Sequence, residues 1–128
     1  MNKVTLEIAS KVIAGAIRYI KGVDMVPCSI AIVDEGGAVV AVHRMDGAGA
    51  FTSDIAIDKA WTAAVSKGPT LVFSRMIDPR LIMTGSQGLP GEGGTGLVGR
   101  GLFSMVSGGI PITDDSREAI GGVGCSGA

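Results

Sequence analysis

The stretch Cys28-Ser-Ile-Ala-Ile-Val33, Asp34-Glu-Gly-Gly37, Ala38-Val-Val-Ala-Val-His-Arg44 decides the fold. Two apolar, β-branched runs flank a segment of turn chemistry, which is the pattern of a β-hairpin. Both runs are apolar on both faces, so the sheet they begin is expected to be covered on each side. Strict alternation places Val39, Ala41 and His43 on one face and Val40, Val42 and Arg44 on the other.

Upstream, Leu6, Ala9, Val12, Ile13, Ala16, Ile17 and Ile20 recur at helical spacing, with Glu7, Lys11, Arg18 and Lys21 between them. Thr5 suits an N-cap and Gly22 a stop, which predicts an amphipathic helix of about four turns. Downstream, Met45-Asp-Gly-Ala-Gly49 breaks the strand. Ser53 is expected to cap a second helix running to about Ser66, with Ile57, Ala60, Trp61 and Ala64 as its apolar stripe. Alanines 56, 60, 63 and 64 make this helix thin-walled, so another element can approach it closely. Gly68-Pro69 ends it, and 70–77 reads as a third helix stopped before Pro79. Strands are expected at 102–106, from Gly108-Gly-Ile-Pro-Ile112 onward, and at 118–125, the last two joined by the turn Thr113-Asp-Asp-Ser116. The order α-β-β-α-α-β-β-β, with hairpin links inside each strand group, predicts one α/β domain over 1–128. Its sheet should be five-stranded and mainly antiparallel, with helices on its faces.

The composition narrows the function. With 46% hydrophobic residues and mean hydropathy +0.44, the chain is apolar, yet no run approaches the roughly 18 residues of a membrane span. The N-terminus lacks the build of a signal peptide, so the expectation is a cytoplasmic protein without membrane contact. Eleven basic and twelve acidic residues form no basic cluster, and five aromatic residues (one Trp, one Tyr, three Phe) offer few stacking surfaces. Nucleic-acid binding is not expected. Cys28 and Cys125 read as small core residues. With one histidine besides, they are too few for a structural zinc site without carboxylates, and no metal is expected. Trp61 and the methionines likewise read as core more readily than as site.

The glycine-rich stretch 85–101 contains Gly91-Glu-Gly-Gly-Thr-Gly96, which fits G-x-G-x-x-G. A dinucleotide fingerprint needs a strand entering the turn and a helix leaving it. Here the entry is Gln87-Gly-Leu-Pro90, and the exit Leu97-Val-Gly-Arg-Gly101 is too glycine-rich to start a helix. The expectation is a connector, placed so that it can act as a lid over a pocket.

Five phrases in order carry a resemblance: Ser29-Ile-Ala-Ile-Val-Asp-Glu-Gly-Gly37, Arg44-Met-Asp-Gly-Ala48, Asp54-Ile-Ala-Ile-Asp-Lys-Ala-Trp-Thr-Ala63, Gly108-Gly-Ile-Pro-Ile112 and Ile120-Gly-Gly-Val-Gly-Cys-Ser-Gly-Ala128. Together they resemble the GlcG/HbpS family, which includes the C-terminal domain of PduO-type proteins. The resemblance implies a five-stranded antiparallel sheet between helical layers, a homo-oligomer, and a small-molecule ligand with haem as the named candidate. It also implies association with diol or glycolate-like metabolism. Family members continue past the Ser-Gly-Ala phrase into a C-terminal helix, which is absent from this chain.

Among the candidate site residues, His43 is the sole imidazole and the candidate axial ligand for haem iron. Its bland alternative is a strand-end histidine with a satisfied hydrogen bond. Arg44 and Asp46 flank a strand end together with Met45. They form either a local ion pair or an anion site in which the guanidinium forks a carboxylate. Lys59, among alanines, either snorkels outward or enters a pocket as a cation or a base. Thr62 follows on the same helical face. Gly108 and Gly109 satisfy backbone needs or admit a ligand to main-chain N–H groups.

The leading expectation is a small-molecule-binding protein with a pocket of Arg44, Met45, Asp46, Lys59, Thr62 and Gly108-Gly109. The alternative is an enzyme, a tautomerase, isomerase or hydrolase on a small anionic metabolite, with Lys59 or Asp46 as acid or base. A non-catalytic assembly module is the third reading. No elbow motif accompanies the single histidine, which argues against a Ser-His-Asp hydrolase.

Overall fold

The computed structural model describes residues 3–72 and 108–127. Its elements run α1 (Leu6–Gly22), β1 (Ser29–Asp34), β2 (Val39–Arg44), α2 (Thr52–Ser66), β3 (Gly109–Thr113) and β4 (Ala119–Ser126). The strands form one antiparallel sheet in the order β2-β1-β4-β3. Four strands are thus present among the described residues rather than the five expected. The strand expected at 102–106, the glycine-rich stretch 85–101 and the third helix beyond residue 72 lie outside the described residues. No helix among the described residues is long and apolar enough to cross a membrane.

α1 forms as its periodicity predicts. The Thr5 hydroxyl accepts the Ile8 N–H at 3.2 Å, satisfying one of the first-turn donors. Ala9, Ile13 and Ile20 are buried against Ile30 and Ile32 of β1, whereas Leu6, expected inside, is exposed. Fully burying an isoleucine is worth about 1.5–3 kcal/mol, so Ile13 and Ile20 hold the helix to its side of the sheet.

The hairpin predicted from 28–44 is present, with one correction. Val33 pairs with Val39 and Ile32 with Ala41, so Val40 is an unpaired bulge. The bulge breaks the strict alternation and turns Val40 toward the α1 cluster with Ala41. His43, opposite Ile30, keeps its place on the α1 side. Asp34 organises the turn, its Oδ1 accepting the N–H groups of Gly36 and Ala38. Gly37 adopts φ 89°, and a Cβ there would collide with the Trp61 indole of α2.

α2 covers the opposite face through Ala56, Ala60 and Ala64, packed on Ala31 and Val33. Its cap differs from expectation. The helix starts at Thr52, no side chain caps it, and Ser53 instead hydrogen-bonds Ser29 at 3.1 Å. Thr52 joins the same Ser29 hydroxyl at 2.8 Å, tying the start of α2 to the start of β1. The sheet meets this helix with glycine. A Cβ on Gly122 would strike the Ala60 carbonyl and one on Gly124 the Ala56 carbonyl, while one on Gly109 would strike the Lys59 carbonyl. Small residues on both partners therefore let helix and sheet touch backbone to backbone.

Candidate functional site

The predicted site residues separate into two groups. The first lies where β2 ends beside α1. Ser10, Ile13, Ala14, Ile17, Arg18 and Lys21 of the helix and His43 of the strand line a cleft of about 440 Å³. A second cleft of about 280 Å³ is lined by Arg44, Met45 and Asp46 and shares Ile17, Lys21 and His43 with the first, which makes one groove. The helix contributes Ser10, Ala14, Ile17 and Lys21 at successive turns, so a single stripe forms the wall. Ala14 keeps that wall low. The floor is apolar, and the rim carries three cations (Arg18, Lys21 and Arg44), the His43 imidazole and the Asp46 carboxylate.

Within this group Arg44 is not paired with Asp46. Its Nη1 donates to the Ala48 carbonyl at 2.8 Å, which fixes the loop that leaves β2. His43, Arg44 and Asp46 are exposed, and Met45 is half-buried. The Met45 N–H donates to the Cys28 carbonyl at 3.0 Å and its Sδ accepts the Cys28 N–H at 3.4 Å, so this methionine is held from both ends.

The second group surrounds Lys59. Only 7% exposed, Lys59 donates from Nζ to the Cys125 carbonyl at 3.0 Å. Burial lowers its pKa from the ordinary lysine value, an effect opposed in part by the nearby Cys125 and Cys28 thiols. Gly108, at φ 120°, and Gly109 pack against it, and a Cβ on Gly108 would come within 3.0 Å of Nζ. Thr62 is buried and its hydroxyl donates to the Asp58 carbonyl at 2.8 Å. Lys59 therefore does not snorkel outward, and its ammonium group is engaged by a main-chain carbonyl.

Three residues outside the sequence expectation complete the picture. Thr70 accepts the Gly109 N–H at 2.9 Å and so fastens β3 to the chain that follows α2. Cys28 and Cys125, distant in sequence, become diagonal neighbours on one face of the β1–β4 pair. Burial, first, and the neighbouring Cys28 push the Cys125 pKa up to about 11. Only the β1–β4 register, with Ile30 opposite Cys125, reveals this pair. No group of three or more His, Cys, Asp or Glu stands together among the described residues.

Comparison with known proteins agrees with this architecture. A family model described as "Haem degrading protein HbpS-like" matches residues 4–128. Protein GlcG of Escherichia coli (strain K12) is 32% identical over 98 residues, which is 77% of this chain and 63% of GlcG. The chain thus spans less than two thirds of that relative's length. The crystal structure of HbpS superposes with a TM-score of 0.74 at 26% identity, covering all of this chain and 79% of HbpS. The PduOC:heme complex shares the fold, with a TM-score of 0.75 at 24% identity over 99% of this chain and 84% of that one. Five short phrases, the strand order and the matched family model all lead to one assignment: the chain belongs to the HbpS-like family.

Proposed function

We propose that this chain is a cytoplasmic haem-binding protein whose ligand lies in the groove between α1 and the end of β2. The observation that carries the reading is the position of the sole histidine. His43 stands on the rim of a cleft of about 440 Å³, whose floor is Ile13, Ala14 and Ile17 and whose edge carries Arg18 and Lys21. That volume is in the range of small-molecule sites, roughly 300–1,000 Å³. The residue set fits the group: an imidazole for the iron, an apolar bed for the macrocycle and two cations for its carboxylates. Bound haem would supply a redox-active iron, which His43 would hold, with Arg18 and Lys21 taking the carboxylates. The family description, which names haem, supports the same ligand.

Titration of the purified chain with haemin, followed at the Soret band, tests this. One equivalent per chain is expected, with a spectrum altered in His43→Ala and affinity weakened in Arg18→Glu. A wild-type protein that leaves the haemin spectrum unchanged, or a His43→Ala variant indistinguishable from it, would overturn the reading.

The buried amine favours a second reading. Lys59 beside Gly108 has a lowered pKa and could exchange protons with a small anionic metabolite, as in a tautomerase or isomerase. Loss of turnover in Lys59→Met with the fold retained would support it. A homo-oligomer belongs to the same proposal, since Met25, Val26, Phe51 and Ile110 are large, apolar and more than half exposed. A monomer in sedimentation would remove that part.

A further inference from the structure

Three sulfur-bearing side chains gather on the α1 side of the sheet, at the paired ends of β1 and β4. Cys28 immediately precedes β1 and Cys125 is the penultimate residue of β4. Because Ser29 pairs with Ser126 and Ile30 with Cys125, Cys28 and Cys125 are diagonal neighbours on one face. Both side chains belong to the same apolar cluster on that face. The Cys28 thiol also donates to the Val26 carbonyl at 3.3 Å, which fixes its direction. The Met45 thioether is the third member, held against the Cys28 N–H at 3.4 Å. All three side chains belong to one apolar cluster, with Cys28 only 5% exposed.

Nothing in the haem reading uses the two thiols, and only Met45 also lines the groove. Packing alone would be served as well by valine or alanine at two adjoining strand positions. A disulfide is also a poor account. Diagonal cross-strand neighbours stand about 7–8 Å apart at Cα, beyond the roughly 6.8 Å that a disulfide spans without backbone movement. A bridging ion removes that difficulty. With metal–sulfur bonds of about 2.3 Å, a trigonal centre holds its sulfurs about 4 Å apart, roughly twice the S–S bond of a disulfide. Two thiolates and a thioether in an apolar wall are soft ligands that suit Cu(I) and reject calcium and magnesium, and three donors fall short of the four that structural zinc takes.

We propose that Cys28, Cys125 and Met45 form a binding site for a soft monovalent d10 cation, Cu(I) or its analogue Ag(I). Binding exchanges two thiol protons for one metal ion: M⁺ and two S–H groups give two M–S bonds and release two H⁺ to solvent. Met45 completes the coordination with a lone pair and loses no proton. The resulting ML₃ centre carries one negative charge. Lys59, whose Nζ sits on the Cys125 carbonyl and whose charge acts on both thiols, lies where it can balance it. No redox change occurs at either sulfur or metal.

The test uses the purified chain, freed of haem and reduced. Ag(I) is titrated against free-thiol count, and Cu(I) is competed against a coloured bicinchoninate-type chelator. The expected result is one ion per chain, with both thiols masked together at the equivalence point. Cys125→Ser should lose more than 100-fold in affinity and Met45→Leu about tenfold, whereas His43→Ala should bind as wild type. The site is overturned if the reduced chain takes up no stoichiometric ion, or if it closes an internal disulfide and binds none. Wild-type binding in Cys125→Ser overturns it as well. Wild-type binding in Met45→Leu overturns the three-sulfur assignment and leaves a two-thiol site. Since His43→Ala retains this binding, failure here is distinguishable from failure of the haem reading.

Discussion

Replacing Gly124 by alanine tests the packing that joins helix to sheet. The residue lies in β4 outside the left-handed region, so alanine enters it without backbone strain. Taken alone, that substitution should stabilise the protein by about 0.4–1 kcal/mol through the unfolded chain. The structure reverses the sign. Besides the Ala56 carbonyl, the new Cβ would lie 2.7 Å from the Ala60 nitrogen and 3.0 Å from the Lys59 Cβ. Ordinary contact begins at 3.4 Å, so α2 must retreat by about 0.7 Å (3.4 − 2.7) at that nitrogen alone. The obstructing atoms are backbone and have no rotamer to change. Overpacking of this kind costs roughly 1–3 kcal/mol. At the upper end, less the entropic gain, the net loss is about 2 kcal/mol. With a urea m-value of about 2 kcal/mol/M, the midpoint should fall by about 1 M at unchanged slope. Gly15→Ala is the matched control: its Cβ meets only Arg18 Nη2, at 3.8 Å, and an interior helical position should gain about 0.5–1 kcal/mol. A neutral or stabilising Gly124→Ala would refute the reasoning.

Two further outcomes follow from the hydrogen bonds and the thiol pair. Ser29→Ala leaves the buried Thr52 hydroxyl without one of its partners and should cost about 1–3 kcal/mol in thermal or chemical unfolding; no loss would mean that the Gly49 carbonyl alone satisfies Thr52. The Cys125 pKa is raised from 9.0 to about 11, so its neutral form is favoured in the folded state. The associated stability is fully present below pH 9.0 and is lost as pH rises through about 11, because the unfolded chain releases the proton first. Denaturation across that window should show wild type losing stability relative to Cys125→Ala, and parallel curves would contradict the shift.

Features set by near neighbours along the chain are legible in the sequence. Thr5 and the apolar period specify α1, and Asp34-Glu-Gly-Gly37 between two apolar runs specifies the hairpin. Features set by partners far along the chain are not legible in this way. Ser53 looks like a cap because its helix follows directly, but Ser29, on a strand, takes its hydroxyl. Gly122 and Gly124 read only as a glycine-rich strand, since the carbonyls they admit belong to a helix some sixty residues earlier. The groove is hidden for a related reason. Its wall is the stripe Ser10, Ala14, Ile17 and Lys21, whereas apolar periodicity marks only the core face of α1, and the polar members of the stripe carry no signal. The expected grouping of Arg44 with Lys59 rests on family phrases, which name residues without giving their contacts.

The contact between Gly37 and Trp61 has a spectroscopic consequence. The chain has one tryptophan, and its indole is pressed on the turn between β1 and β2. Intrinsic fluorescence therefore reports whether that hairpin is docked on α2. The single tyrosine, Tyr19, is 65% exposed on α1, across the sheet. The two chromophores thus watch opposite layers, and coincidence of their unfolding transitions would show that both layers leave the sheet in one cooperative step.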